Sequence, residues 1–187
     1  MLFQIKSYLN FLWNSKNQHG VHSPFVFDLV TKCFYDKKSK PEYSILKKYR
    51  KSLLENKDFI EVTDFGAGSR VFKSNKRRIS DIAKTAGISP KRAELLFRIT
   101  NYFQPENILE IGTSLGLATS ALSLGNKNSK ITSSEGCPET IAVTKKMFQV
   151  SGFKLIDTNF NNIEFSSYLN NLKLETLNNK KQTLDLI

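Results

Sequence analysis

From Asn107 onward, short apolar runs alternate with stretches of helical periodicity: "NILEIG", "LGLATSALSLG", "KITSSE", "PETIAVTKKMFQVSG", "FKLIDTNF", "FSSYLNNLKLETLNN" and a closing "TLDLI". No other feature of the chain limits its fold so tightly. Strands joined through helices pair in parallel by crossovers, and parallel strands are buried on both faces. The pattern therefore predicts an α/β fold over 106–187: a Rossmann-like doubly wound parallel sheet of about three to four strands, incomplete relative to a full sheet of this type.

The residues before Pro105 read differently. Leu2, Phe3, Ile5, Leu9, Leu12 and Trp13 recur at helical spacing and predict an amphipathic helix whose apolar face packs into a core. Ser23-Pro24 opens a second helix with Phe27, Val30 and Phe34 on one face, and "PEYSILKKYRKSLLENK" predicts a charged third. Residues 1–60 thus form a helical N-terminal extension. Over 61–105, the run "FIEVTDF" leads into the glycine loop "TDFGAGSR". A dense basic stretch, Lys73 to Arg78, follows as a solvated loop, and two helices over 79–103 pack on the sheet. These helices have the outline of a helix-turn-helix, with Gly87 at the turn and Ser89-Pro90 starting the second. Yet Leu95, Leu96, Ile99, Tyr102 and Phe103 make a wide apolar stripe that has to be buried, leaving little surface to read a DNA groove.

Composition narrows the class. Of 187 residues, 40% are hydrophobic and 24% charged, which is the balance of a folded domain. Lys and Arg exceed Asp and Glu by 28 to 17, giving a net charge of +11, but the cations are scattered along the chain. No apolar run approaches the roughly 18 residues of a membrane span, and the start has neither a basic leader nor a small-residue cleavage site, so the expected location is cytoplasmic. Cys33 and Cys137 read as free thiols. His19 and His22 have no acidic or Cys neighbour at ligand spacing, so no metal site is expected.

Two glycine loops compete for a ligand. A doubly wound binding loop needs a buried strand, a turn of small residues, a helix directly after it, and an acid ending the next strand. The downstream candidate has all four: Ile108, Leu109 and Ile111 in the strand, Gly112, Ser114 and Gly116 in the turn, a helix from Leu117, and Glu135 ending "KITSSE". Small residues admit the ligand close to the backbone, and a carboxylate at the strand tip can accept hydrogen bonds from both hydroxyls of a ribose. In the upstream candidate, Gly68 runs into Ser69, Arg70 and the basic stretch, with no helix or acid-tipped strand in place. "DFGAGS" is therefore a structural turn or a loop at the pocket mouth. "GTSLG" also fits the G-x-S-x-G elbow of serine hydrolases, but both histidines precede Ser114, whereas the hydrolase order requires one after it.

The spacing Glu110-x-Gly112-x-Ser114-x-Gly116 lacks the third glycine of the dinucleotide fingerprint, since Leu117 stands there. It resembles the first motif of class I S-adenosylmethionine-dependent methyltransferases, and "LEIGTSLGLAT" followed by "SSEGCPE" is similar to the small-molecule O-methyltransferase-like branch. With "HGVHSPFVF" and "DFGAGSR" the likeness extends to a bacterial methyltransferase-like group. The resemblance implies S-adenosyl-L-methionine as cofactor. Glu110 and the backbone of Gly112, Thr113, Ser114 and Gly116 would hold its methionine end, Glu135 the ribose, and Gly136 and Cys137 the adenosine. Asn159, or Asp157 in its place, would lie by the adenine. Ser114 departs from the commoner glycine of the motif. The implied partner is a small-molecule acceptor, with nucleic acid not favoured.

Relatives of this kind continue past a sequence such as "LDLI" into an acidic acceptor-binding segment, so the expectation here is a truncated methyltransferase that keeps mainly the cofactor half-site. An unpaired sheet edge then predicts self-association. The rival readings are a basic DNA-binding protein using 79–103, with Lys91 and Arg92 as contacts, and a non-catalytic relic of the fold.

Overall fold

The computed structural model describes residues 2–15, 20, 22–64, 68–69, 71–151 and 159–161. The chain divides into two compact units, Met1–Lys38 and Ser39–Ile187.

In the first unit, α1 (Leu2–Asn14) is the expected helix, and Ser23 caps α2 (Pro24–Asp28) by accepting the Val26 N–H at 3.4 Å. A π-helical stretch, Leu29–Phe34, continues from α2. The expectation that α1 packs an apolar face into a core is corrected: no residue of α1 is buried, and Trp13 is 90% exposed. The physical reason lies in what surrounds it within its own unit. The other helical segments there are short, and Cys33 is the one buried residue among those described, too little to build a facing core.

The second unit starts with α3 (Pro41–Glu55), whose buried Tyr43, Leu46, Tyr49 and Leu53 recur every three or four residues and so line one face. β1 (Phe59–Glu61) pairs antiparallel with β2 (Lys76–Arg78), in the register Phe59 with Arg78 and Glu61 with Lys76. The basic stretch is therefore a strand in part, not simply a solvated loop. Its cations are accommodated by aromatic rings: Lys76 and Arg78 lie 5.7 and 5.0 Å from the centre of the Phe59 ring, and Arg77 lies 5.0 Å from that of Phe72.

Helices α4 (Ile79–Thr85) and α5 (Pro90–Phe103) follow. Ala93, Phe97 and Thr100 of α5 are buried, and Ala93 and Phe97 cluster with Tyr43, Leu46 and Ala121, which commits that face of the helix pair to packing. Then come β3 (Asn107–Ile111), α6 (Leu117–Gly125), β4 (Lys130–Ser134), α7 (Pro138–Ser151) and β5 (Asn159–Asn161). The three strands form a parallel sheet in the order β3-β4-β5, with Ile108 beside Ile131 and Thr132 beside Asn159.

One core cluster joins Tyr49 and Leu53 of α3, Ile79 and Ile82 of α4, Leu115 and Leu117, and Phe148 of α7. Another places Leu122 of α6 against Ile108 and Ile131 of the sheet. The expected third strand is present at 159–161. Residues 152–158, the expected third helix over 165–179, and the fourth strand at 183–187 lie outside the described residues, as do His19, Asp157 and Phe65–Ala67 of the upstream glycine loop. No helix among the described residues is long and apolar enough to cross a membrane.

Candidate functional site

The ends of β3 and β4 point the same way because the strands are parallel, so the turns that leave them stand side by side. This is the position where open α/β sheets take ligands. The first turn is tied to the end of β4: Gly112 and Thr113 donate their backbone N–H groups to the Ser134 carbonyl at 2.8 and 3.0 Å. Glu135 then braces both turns. Its Oε2 accepts the Ser114 N–H at 2.7 Å and its Oε1 accepts the Cys137 N–H at 3.0 Å.

The first turn is also held from behind. The Tyr49 hydroxyl of α3 donates to the Leu115 carbonyl at 2.8 Å, and the Thr144 hydroxyl of α7 donates to the Ser114 carbonyl at 2.8 Å. Burial pushes the Tyr49 phenol well above its ordinary pKa, so it stays a donor across the working pH range. Gly116 has φ of +71°, and a Cβ there would stand 2.4 Å from Cζ of Phe148, so this glycine is required by backbone conformation and by helix packing together. Gly112, with φ of +92°, has no atom within 4 Å of where a Cβ would stand. Ser114 adopts φ of +48°, the left-handed region in which the motif more often places glycine.

Beside these turns lies a cleft of about 930 Å3, lined in part by Ile111, Gly112, Ser114, Glu135, Gly136 and Cys137. Small-molecule sites span roughly 300–1,000 Å3, so there is room for a cofactor-sized ligand. The rest of the lining is supplied by the β1–β2 hairpin and α4, including Val62, Asp64, Phe72, Arg77 and Ile82. Cys137 joins the two parts: its Sγ accepts the Thr63 N–H at 3.4 Å and lies 3.8 Å from the Glu61 carbonyl. Thr63 and Asp64, the first residues of the upstream glycine stretch, thus stand at the cleft.

Of the residues singled out from sequence, Gly112, Ser114, Glu135, Gly136 and Cys137 meet in this cleft. Thr113, Gly116 and Glu110 do not line it; they hold the turn. Thr113 and Ser133 share a hydroxyl–hydroxyl hydrogen bond, Ser133 donates to Glu110 Oε2, and Thr119 donates to the same oxygen at 2.6 Å. Burial raises the Glu110 pKa above the usual carboxylate range, with a smaller push from the charge of Glu135; the bonds from Ser133 and Thr119 act in the opposite direction. Asn159 opens β5, its backbone in register with Thr132. Sequence reasoning missed the roles of Tyr49, Thr144, Phe72 and Arg77. Tyr49 and Thr144 read as ordinary helix residues, and the helical stripe containing Tyr49 was the available signal for its burial.

No protein-family model matches the chain, and no curated protein matches its sequence. Among solved structures, the chain is similar to an SAH-bound methyltransferase of Podospora anserina, PaMTH1, at 16% identity and a TM-score of 0.52, covering 84% of this chain and 56% of that one. It is also similar to an O-methyltransferase from Bacillus cereus in complex with SAH, at 14% identity and a TM-score of 0.44, covering 83% of this chain and 57% of that one. The chain spans a little over half the length of each. The parallel sheet, the paired turns at its strand ends and the likeness to PaMTH1 together establish a Rossmann-like α/β fold of the kind that methyltransferase has.

Proposed function

We propose that the chain binds S-adenosyl-L-methionine in the cleft beside Gly112 and Glu135, and that it serves methyl transfer to a small-molecule acceptor. The observation that carries this reading is the meeting of the two turns: the glycine turn after β3 and the acid-tipped turn after β4 line one cleft, with Ser114 N and Glu135 Oε2 2.7 Å apart. The neighbours' bound SAH, the demethylated form of that cofactor, supports the choice of ligand.

The residues present fit such a ligand. An ionised carboxylate offers about four acceptor positions, so Glu135, with one backbone N–H on each oxygen, retains two for the hydroxyls of a ribose. The open space at Gly112 lets a ligand approach the main chain. Gly136 and Cys137 would flank the adenosine, and Asn159 is the proposed polar group near its base.

When bound, the cofactor supplies a methyl group made electrophilic by its sulfonium. The chain's own work is positional. Tyr49, Thr144 and Glu135 hold the glycine turn in one conformation, so little ordering remains when the ligand arrives. Calorimetry with SAH tests the reading. The wild-type chain is expected to bind, and Glu135→Ala to lower affinity by about tenfold or more, through loss of the hydroxyl contacts and of the brace between turns. Absence of heat from the wild type, or equal affinity in the variant, would contradict it.

A further inference from the structure

The proposed cofactor side leaves the rest of the cleft lining without a role. Its described residues are mostly apolar, with Val62, Phe72, Ile82 and Ala86, and among them Arg77 is the one cation, beside Asp64. Strand alternation separates this arginine from its neighbours in sequence: Lys76 and Arg78 share the Phe59 ring, while Arg77 lies over Phe72. Its side chain is only 11% exposed. A guanidinium so far out of water is costly unless its donors are used.

Two of them are used: Nη2 reaches Asp64 Oδ2 at 3.3 Å and Nε reaches the Ser74 carbonyl at 3.2 Å. Nη1 has no hydrogen-bond partner among the described residues and is not fully buried, so it is open to solvent or to a ligand in the cleft. A guanidinium pairs best with two oxygens of one planar or tetrahedral anion, through short parallel bonds. The single long contact to Asp64 falls short of that.

We propose that the hairpin wall is the acceptor side of the cleft, and that Arg77 binds the carboxylate or phosphate oxygens of a small acceptor whose apolar body lies against Val62, Phe72 and Ile82. This rests on the cofactor occupying the part of the cleft formed by the two turns. Asp64 holds the guanidinium in place between ligands and competes with the incoming anion for it.

The test uses benzoate and phenyl phosphate as probes, with neutral benzamide as their uncharged counterpart, titrated calorimetrically into the full chain with and without saturating SAH. At least one anion is expected to bind, and the neutral amide about tenfold more weakly or not at all; which anion binds identifies carboxylate or phosphate as the group read. Arg77→Met is expected to reduce anion binding at least about tenfold with the affinity for SAH unchanged. Because Arg77 also braces the hairpin, Asp64→Asn supplies an independent sign: removing the competing carboxylate is expected to tighten anion binding by about threefold or more.

Failure of both anions to bind, equal binding of benzamide, unchanged anion binding in Arg77→Met, or unchanged or weaker binding in Asp64→Asn would each overturn the proposal. Failure of SAH to bind would remove the cofactor assignment instead, and the titrations without SAH would still decide whether Arg77 is an anion site.

Discussion

At the scale of single residues, Glu110 is the most informative side chain. Its position two residues before Gly112 suggests a ligand contact, but its carboxyl is turned into the structure, where Oε2 takes hydroxyl bonds from Ser133 and Thr119 and Oε1 is buried without a hydrogen-bond partner. Burial favours the protonated acid and raises its pKa. A carboxyl that binds its proton more tightly when folded contributes stability that is fully present below its unfolded pKa, and this contribution is lost as pH rises through the folded value. Glu110→Gln removes that titration. Urea unfolding at about pH 5 and about pH 8 is expected to show the wild type losing stability relative to the variant on going up in pH; parallel behaviour of the two proteins would refute the assignment. Ser114, by contrast, was legible as a departure from the motif, and its φ of +48° gives the departure a physical meaning.

At the scale of elements, the alternation of strands and helices after Pro105 was readable because each strand is apolar and each helix amphipathic. β3, α6, β4 and α7 stand where the pattern puts them. β2 was not readable. Lys76, Arg77 and Arg78 carry no apolar alternation, and their strand conformation comes from pairing with β1 and from cation–ring contacts that form only after the chain has folded back. α1 shows the converse: its periodicity identified a helix but could not identify a facing core. The contact of the glycine turn with α7 gives a prediction at this scale. Gly116→Ala would place Cβ 2.4 Å from Phe148 and 2.8 Å from Thr144 Cγ2, as well as straining a residue at φ of +71°. Overpacking of this kind costs about 1–3 kcal/mol, so the unfolding midpoint in urea is expected to fall with the slope unchanged. An unaltered midpoint would mean that the turn and α7 are not packed as described.

At the scale of the second unit, the described residues of the cleft come from four separated stretches: the hairpin residues Val62 to Asp64, Phe72 and Arg77; Ile82 and Ala86 of and after α4; the turn after β3; and the turn after β4. The sequence made the latter two visible as a pair, because small residues after one strand and an acid at the tip of the next have a shared mechanical use. The hairpin wall was legible only as a loop near a pocket mouth. Its chemistry depends on which face of β2 each cation occupies, and that follows from register with β1. The proposed ligand site is the pair of turns after β3 and β4. Backbone amide NMR of the full chain during titration with SAH tests it most directly. The largest shifts are predicted at Gly112, Ser114, Gly136 and Cys137, with Phe59 and Met147, on a separate cleft, unmoved; saturable shifts centred on any other part of the chain, or none at all, would contradict the account.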